Sequence, residues 1–143
     1  MDTIGLIGIG CVFGIAALGS AIGIGIAGQS AIGAWKRCYL NNKPAPFILT
    51  VFAGAPLTQT LYGYILMKVM LDSGKHDPLF LGLGIASGLA MALSAIAQGK
   101  CGAAAADAQA ETGKGFAQYI TVVGVCETVA LFALVFSMLA VNG

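Results

Sequence analysis

Four long apolar stretches, separated by short polar ones, run the length of the chain. They cover about 4–34, 47–71, 79–106 and 116–141. A helix that crosses a bilayer needs ~20 consecutive apolar residues, so each stretch predicts one span. The first break runs from Trp35-Lys36-Arg37 through Asn41-Asn42-Lys43-Pro44. The second is Asp72 to Pro78, and the third is Asp107 to Lys114, with Glu111 and Gly113 inside it. The expected fold class is therefore an all-α membrane protein of four transmembrane helices.

The two halves repeat. Ser20-Ala-Ile-Gly-Ile-Gly25-Ile-Ala-Gly28-Gln-Ser-Ala31 aligns with Ser94-Ala-Ile-Ala-Gln-Gly99-Lys-Cys-Gly102-Ala-Ala-Ala105, sharing the pattern SAIxxGxxGxxA. Thr58-Gln59-Thr60 then falls opposite Cys126-Glu127-Thr128. The chain reads as a helical hairpin duplicated in tandem, 1–72 and 73–143. Gly14, Ala17, Ala21, Gly25, Gly28 and Ala31 recur at helical spacing on one face of the first helix. Gly88, Met91, Ala95, Gly99, Gly102 and Ala105 do so in the third. Small-residue stripes let helix backbones approach closely in lipid. That suits either inner helices crowded around an axis or close packing within one chain.

Composition strengthens the membrane reading. Only 9% of the 143 residues are charged, against 58% hydrophobic, whereas a soluble domain carries about 25% charge. A net charge of +1 leaves no footprint for nucleic acid. No loop is long enough for an extramembrane catalytic domain, so no catalytic site is expected. The opening Met-Asp-Thr-Ile lacks a basic run, so no cleaved signal peptide is expected. The loop after the first helix holds Lys36, Arg37 and Lys43 without an acid, which predicts that it is cytoplasmic. The loop after the third helix then shares that side, and both termini lie outside. Cys11, Cys38, Cys101 and Cys126 form no CxxC pair, so small buried hydrophobes are expected, with no disulfide or metal cluster.

One carboxylate stands out. Glu127 lies near the middle of the fourth stretch, with no other charge within ten residues on either side. A charge at that depth costs several kcal/mol, roughly 3 or more, unless a cation or donors compensate it. Gln59 lies at matching depth in the second helix, beside Thr58. Gln98 offers a further amide in the third helix. Pro56 lacks an N–H and disturbs the turn before it, which frees carbonyls such as that of Ala55. One carboxylate among neutral oxygens suits a hard monovalent cation, whereas a proton needs the carboxylate alone. Na⁺ is therefore the expected cargo and H⁺ the alternative, with no organic cofactor. Tyr62, one turn beyond Thr58, either donates to the carboxylate or simply packs. Gln59 and Ile24 occupy the places of Glu127 and Gln98 in the first half, so one site per chain is expected. Lys68 and Lys100 read as snorkelling interface anchors, and His76 as a loop residue. Gly23-Ile-Gly25-Ile-Ala-Gly28 spells GxGxxG but follows no strand, so it is not a dinucleotide motif.

The PxTQxLYG run (Pro56 to Gly63), the AQGK run (Ala97 to Lys100) and the VxET run (Val125 to Thr128) resemble the proteolipid rotor subunit of V-type and A-type rotary ATPases. The likeness, over nearly the whole chain, is to the rotor proteolipid of the bacterial Na⁺-translocating form. The resemblance implies a closed ring of identical copies, helices 1 and 3 inside and 2 and 4 outside. It implies rotation against a stator subunit that carries a basic residue, and a central stalk seated on the cytoplasmic loops. ATP hydrolysis or synthesis would occur in a separate sector, with the ring in a bacterial inner membrane. It implies Na⁺ ligands at Glu127, Gln59, Thr58, Gln98 and the backbone carbonyl of Ala55, with Tyr62 supporting the carboxylate. The family usually has leucine where Ala55 stands. A proton-coupled multidrug exporter also has four helices and one membrane carboxylate, but in its first helix. A purely structural tetraspan or pore protein leaves the polar set without a purpose.

Overall fold

The computed structural model describes residues 2–143. The chain folds into α1 (Asp2–Leu40), α2 (Leu49–Gly54), α3 (Thr58–Asp72), α4 (Leu79–Thr112) and α5 (Phe116–Asn142). α2 and α3 are joined by a 3₁₀ turn at Ala55–Leu57 and together make one interrupted rod. Among the described residues, three helices, α1, α4 and α5, are long and apolar enough to cross a membrane. The protein is an all-α, multi-pass membrane protein.

The helices outrun the apolar stretches that predict them. α1 continues through Trp35-Lys36-Arg37 to Leu40, and α4 continues through Asp107 and Glu111 to Thr112. Polarity marks where a helix leaves lipid, not where it ends. The segment after Asp107 is alanine-rich and helix-favouring. It stops where Gly113 adopts a left-handed φ of 67° and returns its N–H to Gln109 O at 2.9 Å, a conformation that costs glycine least.

α1 and α4 run parallel, backbone against backbone. A Cβ on Gly84 would lie 2.0 Å from the Gly8 carbonyl oxygen, and one on Gly99 would lie 2.3 Å from that of Gly23. Gly19 meets Ala92 as closely. Close packing is thus present, but on another face of α1 than the predicted stripe. Gly14, Gly25 and Gly28 have no neighbour within 4 Å at the Cβ position. α1 has glycine on more than one face, so spacing alone does not select the one that α4 uses.

Two apolar cores hold the outer rods against this seam. One gathers Ile9, Val12, Leu66, Met70, Phe80, Met91 and Leu134. The other gathers Ala34, Leu49, Phe52, Ala106 and Val123, with the rings of Phe52 and Phe116 at 5.5 Å. Trp35 Nε1 donates to Pro46 O at 2.7 Å and pins the first loop. Along α3, α4 and α5, the polar side chains fall between these two cores.

Candidate ion-binding site

The break at Pro56 shapes the site. Pro56 is buried in the 3₁₀ turn and has no N–H to extend the helix ladder. Immediately after it, Thr58 and Gln59 start α3. Thr58 Oγ1 faces three acceptors: Ala55 O at 3.3 Å, Gln59 Oε1 at 3.3 Å and Glu127 Oε1. Tyr62 Oη donates to the same Glu127 oxygen at 2.8 Å. Two hydroxyl protons thus face three acceptor oxygens, because each hydroxyl supplies one.

The amides are oriented by what lies behind them. Gln59 is 0% exposed and Gln98 1%. Gln59 Nε2 donates to Gln98 Oε1 at 2.8 Å and to Ser94 Oγ at 3.3 Å. Both of its N–H groups therefore point at α4, which leaves its carbonyl oxygen on the Thr58 side. Gln98 Nε2 donates to Val123 O at 2.9 Å, and Ser94 Oγ to Cys126 O at 2.7 Å. Leaving any of these buried groups unpaired would cost about 1–3 kcal/mol. The chain of bonds fixes α3, α4 and α5 relative to one another at the level of the carboxylate. Glu127 itself is partly exposed, and Val125 and Val129 beside it are exposed. The carboxylate stands at the outer surface, backed by a buried polar network.

Glu127, Thr58, Gln59, Tyr62 and the Ala55 carbonyl converge directly. Gln98 joins through Gln59. Of the two roles open to Tyr62, the structure has it donating to the carboxylate. Ser94 and the Val123 carbonyl belong to the same network, and the sequence pattern does not single them out. The serine of the repeated SAI motif, polar in an apolar helix, is the available signal. Lys68 pairs with Asp72 at 3.3 Å on an exposed surface, and Lys100 is exposed. Only Cys38 among the four cysteines is buried; Cys11, Cys101 and Cys126 are partly exposed, and all are free thiols.

Against known proteins, residues 81–140 match the family of the C subunit of ATP synthase. That part of the chain is similar to the ATP synthase C-subunit family. The family stretch takes in most of α4 and α5, and with them Ser94, Gln98 and Glu127. The full chain is 36% identical to "A-type ATP synthase subunit K" of Methanocaldococcus jannaschii across 143 aligned positions. The alignment covers 98% of this chain and 62% of that relative, so the chain spans less than two-thirds of the relative's length. Both findings agree with the resemblance to a rotor proteolipid carried by the three sequence runs. The hairpin that matches the family supplies the carboxylate and Gln98, and the first half of the chain supplies Thr58, Gln59 and Tyr62.

Proposed function

We propose that this chain is the ion-carrying rotor subunit of an A-type rotary ATPase and that Glu127 carries Na⁺. The observation that supports this reading most is the shortage of protons around Thr58. Ala55 O, Gln59 Oε1 and Glu127 Oε1 all face one hydroxyl. A small hard cation among them would satisfy the oxygens and offset the charge of Glu127. In an H⁺-only rotor a proton on Glu127 would offset that charge and free the Thr58 hydroxyl for one of the Gln59 and Ala55 carbonyls, but the other would have no donor there.

In this reading, copies of the chain close into a ring through membrane-embedded helix faces. The open glycine face of α1, with Gly14, Gly25 and Gly28, suits a neighbouring copy. Glu127, at the outer surface, is reachable by a stator subunit with a basic residue. Approach of that positive charge would displace Na⁺ by competing for the carboxylate, and its departure would restore the site. The loops at 41–48 and 113–115 face the cytoplasm, following their basic residues, and seat the central stalk. ATP chemistry belongs to other subunits, and this chain carries no catalytic group. The site lies in a cell membrane, and rotation couples it to ATP hydrolysis or synthesis.

Carbodiimide modification of Glu127 tests the cargo, because carbodiimides attack protonated carboxyls. The purified protein is labelled at constant ionic strength with NaCl or KCl. Protection by Na⁺ but not K⁺, weakening as pH falls, is the expected result. Labelling that follows pH and ignores Na⁺ would make the protein a proton rotor and release Gln59 and Gln98 from a ligand role.

A further inference from the structure

Two thiols meet beside the carboxylate. Cys101 lies one turn beyond Gln98 on α4, and Cys126 directly precedes Glu127 on α5. The Cys126 thiol donates to Cys101 Sγ at 3.6 Å. The two helices are already tied next to this contact, by Gln98 Nε2 to Val123 O at 2.9 Å and Ser94 Oγ to Cys126 O at 2.7 Å. A disulfide needs its sulfurs at about 2.05 Å, so closing the pair takes an approach of about 1.5 Å between them. Access is available as well. An apolar groove of about 270 Å³, lined by Cys101, Ala104, Ala105, Ala108, Tyr119 and Val122, opens beside the first thiol.

We propose that Cys101 and Cys126 are a modification site, an oxidisable thiol pair whose disulfide ties α4 to α5 at the level of Glu127 and restrains the carboxylate. The oxidant is a small, membrane-permeant peroxide. One thiol, losing its proton, attacks a peroxide oxygen; the O–O bond breaks, giving a sulfenic acid and one water from hydrogen peroxide. The second thiol then displaces the sulfenic oxygen as a second water and forms the S–S bond. The two sulfurs together lose two electrons, and the peroxide gains them. Glu127 must turn away from Thr58 and Tyr62 to react or exchange, and a cross-link one residue away holds α5 against α4 and opposes that turn. The consequence for ion exchange rests on the rotor reading; the cross-link itself does not.

The test uses the purified full-length protein in detergent, with hydrogen peroxide as the probe. Oxidation should lower the alkylatable thiols from four per chain to two and should yield one peptide pair joined through Cys101 and Cys126. A thiol reductant should reverse it. Cys101→Ser should abolish the link, while Cys11→Ser and Cys38→Ser should not. Carbodiimide labelling of Glu127 without Na⁺ should slow at least about tenfold on oxidation, roughly 1.4 kcal/mol in barrier, and be insensitive to peroxide in Cys101→Ser. Four alkylatable thiols after oxidation, or links only between separate chains, would overturn the proposal. So would equal slowing in Cys101→Ser. Labelling that ignores Na⁺ but still slows on oxidation would remove Na⁺ as cargo and leave the thiol pair in place.

Discussion

Tyr62 on α3 and Glu127 on α5 are joined by a single hydrogen bond, Oη to Oε1 at 2.8 Å. It crosses between the two rods that no glycine seam holds together. A hydrogen bond to a charged group contributes roughly 1.5–3 kcal/mol. Tyr62→Phe should therefore weaken Na⁺ protection of Glu127 by about tenfold or more, at 1.4 kcal/mol per decade. The protein should otherwise melt nearly as before. Na⁺ titrations of the labelling rate check this, and an unchanged midpoint would reduce Tyr62 to a packing residue.

Gln98 is more deeply embedded. Replacing it with leucine leaves one Gln59 N–H without its acceptor, at about 1–3 kcal/mol, and removes the side-chain bond to Val123 O. Gln98→Leu should lower the melting temperature in detergent. It should also remove the extra stability that NaCl gives over KCl, which for a site at a hundredfold saturation is about 2.7 kcal/mol. If the Na⁺ increment survives, Gln98 only braces the helices.

Glu127→Gln keeps the shape and removes the charge. Na⁺-protected labelling should vanish, and ion turnover in the assembled complex should fall at least about a hundredfold, a barrier of roughly 2.7 kcal/mol. Folding should persist, since an amide can still accept from Tyr62 and Thr58. Turnover within a few-fold of the parent would show that the charge moves through another group.

The glycine seam separates two classes of substitution. Gly84→Ala places a methyl 2.0 Å from the Gly8 carbonyl oxygen. Both sides are backbone, so α1 and α4 must part, at a cost of about 3 kcal/mol or more. Gly10→Ala meets nothing within 4 Å and should leave the fold unharmed or gain up to about 1 kcal/mol in helix propensity. Thermal melts of the two variants side by side decide it.

Arg37 and Asp107 form an ion pair across α1 and α4, with side chains 55% and 52% exposed. An exposed pair contributes at most about 1 kcal/mol. Asp107→Asn should shift stability by no more than that and leave Na⁺ protection intact. A larger loss would mean the helix ends rely on charge rather than on the seam.

The long apolar stretches and the isolated carboxylate were legible from composition and spacing, because burying a charge in lipid is too costly to be incidental. The convergence of Thr58, Gln59 and Glu127 was legible from their matched depths in two apolar stretches. The helix ends were not, since Arg37 and Asp107 are polar yet fully helical. The α4 stripe was legible, since Gly88 and Gly99 lie in the seam, but α1 has glycine on several faces, and only the partner's position selects Gly8, Gly19 and Gly23. Ser94 escaped notice because its role depends on Cys126 O, a backbone atom that no side-chain pattern reveals.

The parallel contact of α1 with α4 has a mechanical meaning. A junction built from carbonyls and Cα atoms has few side-chain rotamers to flex, and native interiors compress little. Twist applied at one end of this pair is transmitted to the other with little lost to side-chain rearrangement. The carboxylate lies off this pair, on α5 and against the interrupted α2–α3 rod. The carboxylate is thus carried beside a torsionally stiff shaft and braced to it through Gln59, Gln98 and Ser94.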